Sequence, residues 1–257
     1  MNLWMLDHTM EGSKVHFGYR LVSREEKGGL VRRHFDSIAA KYDFMNTVLS
    51  FGMHLLWKRW AVGMLGLGPQ DRVLDVCGGT ADLSMIAARK MGPAGKVLLC
   101  DINLAMMKAG RKKLARSSAQ GHIELVQGDA ELLAFKTEQF DAAMVGFGVR
   151  NLSDMERGFA EMFRVLKPGG KLMCLEFSRP VTFWFRWLYD LYSFYVMPLA
   201  GKILAGSREA YTYLPESIRV FPGPEELKGI LERIGFVDVF YRRFTNGIAV
   251  AHTGSKP

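Results

Sequence analysis

The sequence predicts an α/β protein built on an open, mainly parallel sheet of seven strands, with helices on both faces and an antiparallel last strand. Three observations carry this. Strand-like and helix-like patterns alternate from Arg72 to Phe177, as right-handed βαβ units do. The first unit breaks on Gly78 and Gly79, between an apolar run and a helical pattern. Near the C-terminus, strand-like runs at 237–244 and 247–252 are joined only by Thr245 and Asn246. That loop is too short for a parallel crossover, so the two runs form an antiparallel hairpin.

In chain order, residues 1–29 show no sustained periodicity, and SREEKGG at 23–29 reads as a solvated connection. Helical spacing starts at Leu30, with Val31, Phe35, Ile38 and Ala39 on one side and Arg32, Arg33 and Asp36 elsewhere. KYDFMN at 41–46 crowds polar and aromatic residues together. The apolar stretch that follows ends before Pro69, and in it Trp57 and Trp60 flank Lys58 and Arg59. Residues 30–68 are therefore expected to form an N-terminal helical cap on a single domain spanning 1–257. Strands are expected at 72–76, 96–101, 123–126, 141–145 and 171–177. Helices fit 82–91, 104–115 (with Asn103 as N-cap) and 155–166, the last closed by a Lys-Pro-Gly-Gly turn. The alternation lapses over 178–220 and resumes with a helix at 224–234 that stops at Gly235.

Composition supports a full core: 49% of residues are hydrophobic and 23% charged, as in ordinary soluble domains. Cys77, Cys100 and Cys174 lie in apolar, strand-like segments without C-x-x-C spacing. This indicates neither a disulfide framework nor a metal site, and it implies a reducing compartment. The net charge of +8 admits anionic partners without choosing between nucleic acid and membrane. Asp7, Glu11 and Lys14 interrupt the N-terminus, so no secretion signal is expected and the cytoplasm is the expected location.

The glycine turn raises the question of which cofactor it serves. A dinucleotide fingerprint wants a third glycine under the pyrophosphate, and none occurs after Gly79 through Ala87. S-adenosylmethionine carries no phosphate. Backbone N–H groups of the turn can take its carboxylate, and Asp75 its amino group, directly or through water. Asp101, ending the second strand of the alternation, can accept both ribose hydroxyls. Asp129, in GDAE after the third strand, can take the adenine amino group while the Ala130 amide faces the ring. Asp141 opens the fourth strand and reads as structural. Acids at the ends of adjacent strands, with the final hairpin, favour a seven-stranded methyltransferase over a dehydrogenase.

With those residues in place, the chain resembles the ubiquinone/menaquinone biosynthesis C-methyltransferase family. The likeness rests on FDSIAAKYDFMN (35–46), LSFGMHLLWKR (49–59), GDAE (128–131), FGVRN (147–151), LEFSRP (175–180) and YTYLPESIRVFP (211–222), besides the glycine turn. It implies a Rossmann-like class I methyltransferase fold and transfer of a methyl group from S-adenosylmethionine to a ring carbon of a polyprenyl quinol. Demethylmenaquinol is the leading acceptor and the ubiquinone-pathway benzoquinol a further one. It also implies cofactor contacts from Thr80, Asp101, Asp129 and Ala130. Two departures stand out. Ala81 replaces the glycine usual in the family's turn, so that position should not need a positive φ. Gly146 stands where some relatives have a serine, so no contact is expected there.

The chemistry needs a base for a phenolic proton and a group that stabilises the phenolate. Arg150 is the candidate for the second task, since it follows the fourth strand beside the cleft; arginine cannot itself be the base. Tyr42, Asn46 and Asn151 are candidate pocket polars; His54 is a further candidate, although a lone His among apolar residues is more often structural. Residues 179–220 form an aromatic insertion, with FWFRWLYDLYSFY at its head. Arg186 and Asp190 interrupt it well short of the ~20 apolar residues of a membrane span. It reads as a core or dimer-contact helix, a lid over a greasy substrate, or, over 181–200, a peripheral contact with the inner face of the membrane. The basic run at 108–116 reads as a solvated face, and no nucleic-acid partner is expected. Two alternatives remain beside the leading function: another lipophilic or small phenolic acceptor, and a non-catalytic subunit of a quinone-synthesis complex.

Overall fold

The computed structural model describes residues 14–257; the reading of the first thirteen residues, including the absence of a secretion signal, lies outside them. A small antiparallel pair, β1 (Val15–Phe17) and β2 (Arg20–Val22), leads into α1 (Arg24–Ile38). The stretch 23–29 is therefore not a solvated connection. Ser23 caps α1, its Oγ accepting the Glu26 N–H at 3.1 Å, and the Ser-x-x-Glu spacing was the available signal. Lys27 is buried, and its ammonium donates to the carbonyls of Leu152 (2.5 Å) and Arg150 (3.5 Å). Burial pushes its pKa down to about 8. A helix anchored by a lysine and by distant carbonyls leaves no apolar periodicity to read.

Next come α2 (Tyr42–Leu49) and α3 (Met53–Met64). The alternating unit follows as β3 (Arg72–Val76), α4 (Asp82–Lys90), β4 (Lys96–Asp101), α5 (Leu104–Leu114), β5 (Ile123–Gln127), β6 (Phe140–Gly146), α6 (Met155–Val165) and β7 (Leu166–Phe177). The insertion contributes α7 (Phe183–Leu191), α8 (Met197–Ala200) and α9 (Arg208–Val220), and the chain closes with α10 (Pro224–Ile234), β8 (Val237–Phe244) and β9 (Ala249–Ser255). Asn103 caps α5 as expected, its Oδ1 accepting the Met106 N–H at 2.9 Å.

The main sheet has the order β5-β4-β3-β6-β7-β9-β8. Every pair from β5 to β7 is parallel, and β9 runs antiparallel to both β7 and β8. The final strand starts two residues later than expected, because Thr245, Asn246 and Gly247 all take positive φ and lengthen the turn. The turn expected at 167–170 is drawn into the start of β7, where Gly169 donates to the Lys256 carbonyl at 2.8 Å. Asp141 is structural, as expected: it accepts the Arg72 N–H at 2.9 Å and the Lys167 ammonium at 2.6 Å.

Because the central strands are covered on both faces, their alternation feeds two cores rather than a wet and a dry side. Val73, Leu99, Met144, Met173 and Leu175 pack on one side with α3 and α4. Leu74, Val76, Ala143, Val145 and Cys174 pack on the other with α6 and α10. A third, smaller core of Ile38, Met45, Leu49, Tyr189, Met197 and Tyr211 joins the N-terminal cap to the insertion. That third core hangs the cap and insertion over the C-terminal ends of β3, β4 and β6, which is where open α/β sheets bind ligands.

Candidate active site

The turn after β3 is held open by three left-handed residues: Cys77 (φ 55°), Gly79 (φ 52°) and Ala81 (φ 69°). The expectation for Ala81 is overturned. Its N–H donates to the Gly78 carbonyl at 2.9 Å and its carbonyl accepts the Met85 N–H at 3.0 Å, so the start of α4 dictates the conformation despite the Cβ. Gly78 is required by space: a Cβ there would fall 2.4 Å from Leu99 Cγ. Gly79 and Asn103 both donate their N–H groups to Asp101, at 2.8 and 2.7 Å, one to each carboxylate oxygen. Burial raises the Asp101 pKa, opposed by these two bonds. Each oxygen keeps a further lone pair for a ligand diol.

Asp75 is fully buried beneath the turn. One oxygen accepts the Ser84 hydroxyl at 2.5 Å and the other has no partner. Burial pushes its pKa up to about 7. Asp129 is exposed and spends one oxygen on the Glu131 N–H at 2.8 Å, while Ala130 beside it is buried. All seven expected cofactor residues, Asp75, Gly78, Gly79, Thr80, Asp101, Asp129 and Ala130, line one cleft of about 770 Å³. Gly146 also lines it, and a Cβ there would meet Leu83 at 2.6 Å, which agrees with counting no side-chain contact from that position.

Thr80 shows a task beyond the expected one. Its hydroxyl donates to Asp43 of α2 at 2.6 Å. Asp43 also accepts Lys113 of α5 at 2.6 Å, and Lys113 reaches Asp82 at 2.5 Å. Buried Lys58 of α3 completes the cluster on Asp82 at 2.7 Å. Burial opposes the charge on Asp82, but the two lysines hold its carboxyl well below the usual range. The basic run at 108–116 is thus not wholly solvated: Lys113 latches the cap to the cofactor turn.

A second cavity of about 450 Å³ lies between the cap, the insertion and the ends of β6 and β7. Its wall is mainly Phe, Tyr, Leu, Ile, Met and Trp, and Phe35, Tyr42, Lys58 and Phe147 line both it and the cofactor cleft. The side chain of Arg150 is buried in this wall. It pairs with Glu176 at 3.1 Å and donates to the Phe147 carbonyl, while its Nε has no partner. Burial works against the charged guanidinium, and the Glu176 carboxylate outweighs it. Tyr42 and Asn46 line the cavity as expected. Asn151 does not; it lies in the cofactor cleft, and its Oδ1 accepts the hydroxyl of Tyr213, whose ring lines the cavity, at 2.8 Å.

His54, for which the sequence left a pocket role open beside the structural one, also belongs to this wall. Its Nε2 meets Thr47 Oγ1 at 3.2 Å and its Nδ1 has no partner. Burial pushes the pKa of His54, and of His34 nearby, down to about 4, so both are neutral near pH 7. Sequence reasoning missed Glu176, His34, Tyr211 and Tyr213. Glu176, Tyr211 and Tyr213 sit inside recognisable motifs, but their partners are distant in the chain.

A sheet of this order, a glycine turn with no phosphate cradle, and acids at the ends of adjacent strands define an S-adenosylmethionine-dependent methyltransferase. The unpartnered oxygen of Asp75 and the doubly oriented Asp101 fit a ligand with an amino group and a ribose diol. Solved structures share the fold. A possible histamine N-methyltransferase from Thermotoga maritima superposes with a TM-score of 0.63 at 20% identity, over 88% of this chain and all of that one. The [4+2]-cyclase SpnF does so with 0.64 at 15% identity, over 88% and 95% of the two chains. At such identities the likeness speaks for the fold alone, as the cyclase illustrates. The family model described as the ubiE/COQ5 methyltransferase family matches residues 20–256, and the chain belongs to that family. Similar relatives include the ubiquinone/menaquinone biosynthesis C-methyltransferase UbiE of Stutzerimonas stutzeri, 46% identical over 95% of both chains. Its namesake in Yersinia pestis is 45% identical over 96% of this chain and 98% of its own. The protein is an S-adenosylmethionine-dependent C-methyltransferase.

Proposed function

We propose that the protein methylates a ring carbon of a polyprenyl quinol, converting demethylmenaquinol to menaquinol, with the methoxybenzoquinol of the ubiquinone pathway as a further acceptor. One observation carries this most directly. The second cavity is apolar and aromatic, adjoins the cofactor cleft through Phe35, Tyr42, Lys58 and Phe147, and has unpartnered polar atoms on three of its lining residues: Arg150 Nε, His54 Nδ1 and Tyr211 Oη. Buried polar atoms without partners are rare, and a flat ring with two hydroxyls supplies partners of this kind. The names of the relatives point to the same substrate class.

S-adenosylmethionine, when bound, supplies a sulfonium methyl already activated for attack by a carbon nucleophile. Asp75, Asp101, Asp129, Ala130 and the turn at Gly78–Thr80 would hold it. The chain's own residues then have two tasks. The Phe35, Tyr42 and Phe147 side chains align the ring with the cleft and exclude water. The phenolic proton leaves to water, and Arg150 stabilises the oxygen as it gains charge. The ring carbon gains the methyl group and loses its hydrogen as a proton, which restores the aromatic quinol.

Mass spectrometry of the purified protein with S-adenosylmethionine and each demethylated quinol tests this reading. A one-methyl mass increase on demethylmenaquinol is expected. An active protein that methylates other phenols and ignores both quinols would overturn it.

A further inference from the structure

Beyond the two cavities, the largest unexplained feature is the outer face of the insertion. The chain from α7 runs on without a break through two wider turns, Tyr192–Val196 and Gly201–Ala205, and ends on Gly206 in the left-handed conformation. Pro198 accounts for the first widening, since it lacks an N–H and its ring crowds the carbonyl four residues back. The wider turns keep two stripes in register at steps of about four residues. Tyr189, Ser193, Met197 and Gly201 face inward; a Cβ on Gly201 would strike the Tyr211 ring. Outward stand Trp184 (65% exposed), Trp187 (66%), Tyr195 (71%) and Ile203 (70%), with Leu188, Leu191 and Leu199 between them. Phe51, at the turn before α3, adds an aromatic ring beside Tyr192.

We infer that this face docks on an anionic lipid bilayer and lies in the interface rather than crossing it. Three observations select a bilayer. First, the face is continuous with the mouth of the apolar cavity: Phe51, Phe185, Leu188 and Tyr192 belong to the cavity wall and to the segments that carry the stripe. An acceptor with a polyprenyl tail reaches the ring site from the acyl region without crossing water. Second, the exposed charges on this segment are Arg186, Lys202 and Arg208 against Glu209, since Asp190 is paired with Arg219. Lys41 adds a cation at the far end, where its ammonium donates to the Leu204 carbonyl at 2.8 Å. Apolar residues with Trp and Tyr, rimmed by cations, suit an anionic interface. A two-fold contact with a second copy would instead bring two cationic rims together. Third, among the described residues no helix is long and apolar enough to cross a membrane. The inference rests on the polyprenyl quinol reading only for what enters the mouth.

Sedimentation of the purified full chain with vesicles, in the absence of quinol and methyl donor, tests the docking itself. Binding to phosphatidylglycerol/phosphatidylethanolamine vesicles with a blue-shifted tryptophan emission is expected, with much weaker binding to phosphatidylcholine alone. W184E/W187E should cut binding roughly tenfold or more, and I203E, at the other end of the stripe, should also weaken it. None of these residues lines either cavity. Turnover of a short-tailed quinol in solution should therefore stay at the parent level, while turnover of a long-tailed quinol in vesicles falls. K202E should lower binding to anionic vesicles only. Failure of the parent to bind anionic vesicles, or parental binding by both W184E/W187E and I203E, would overturn the inference. So would a parent dimer dissolved by W184E/W187E with vesicle binding intact, since the face would then belong to a second copy. Vesicle binding by a protein that methylates neither quinol would overturn the substrate reading and leave the docking face standing.

Discussion

The cofactor cleft and the acceptor cavity adjoin each other and are built on opposite principles. The cleft comes from the ends of neighbouring strands and the turns after them, and short acids line it. Its parts are fixed by sheet register: β3, β4 and β5 pair residue by residue, so Asp75, Asp101 and the GDAE segment arrive together. Apart from Phe177 at the end of β7, the cavity is assembled largely from α1, α2, α3, α7 and α9, which the sheet does not hold in register. Its polar groups depend on single long-range partners, such as Arg150 on Glu176 and Tyr213 on Asn151. Substitutions in the cleft should therefore act locally, through lost ligand contacts, and those in the cavity should also cost stability.

Asp101→Ala should show the largest effect. It removes an acceptor for the ligand diol together with the anchors of the Gly79 and Asn103 amides. Affinity for S-adenosylmethionine by calorimetry should fall about 10²–10⁴-fold, the two hydrogen bonds from the diol to a charged group being worth about 1.5–3 kcal/mol each. Parental affinity would break the assignment of the cleft.

Arg150→Met should leave Glu176 buried without its partner, a loss of about 3–5 kcal/mol in denaturant unfolding. Turnover should drop by about 10²–10³ with cofactor affinity kept, as when a charge-stabilising donor is removed. The double variant R150M/E176M sharpens the comparison, because it should regain stability and remain inactive. Activity in the double variant would remove Arg150 from the chemistry.

Acid should test the same contrast in a graded way. His34, His54 and His252 have pKa values depressed to about 4 by burial, against about 6.5 for an ordinary imidazole. Below about pH 6.5 the unfolded chain takes up protons that the folded chain refuses. Stability should therefore fall as pH drops from about 6.5 towards 4, by at most about 1.4 kcal/mol per pH unit for each group. His252 lies outside both cavities, so His252→Asn should flatten this slope in unfolding titrations while turnover at pH 7 stays unchanged.

Ala81→Gly should have the smallest effect. Relief of the positive φ, set against glycine's greater unfolded-state entropy, should stabilise the protein by no more than about 1 kcal/mol in thermal unfolding. A destabilised variant would mean that the buried Ala81 methyl matters more than the backbone conformation.

The different legibility of the two regions follows from the same contrast. The central strands and helices read well because each buries an apolar run bounded by a cap or a glycine, and those signals are local. The cleft residues read well because strand ends bring acids to one edge in any sheet of this order. Three readings failed where local pattern was overruled. Residues 23–29 are helical because Ser23 caps them and Lys27 is anchored on carbonyls beyond residue 149. Ala81 takes a glycine's conformation because the start of α4 requires it. Lys113 leaves its solvated face because Asp43 and Asp82 converge on it from two other helices.

By itself, then, the sequence determined the α/β alternation, the closing hairpin, the residues that line the cleft and the methyl donor. These depend on periodicity and on spacing within one or two elements, which the linear chain records. Tertiary structure alone decided that Glu176 holds Arg150, that His54 and Tyr211 share its cavity, and which side of the aromatic insertion faces outward. Each of those depends on elements meeting from distant parts of the chain, and a buried ion pair or an exposed stripe is defined only by what stands against it.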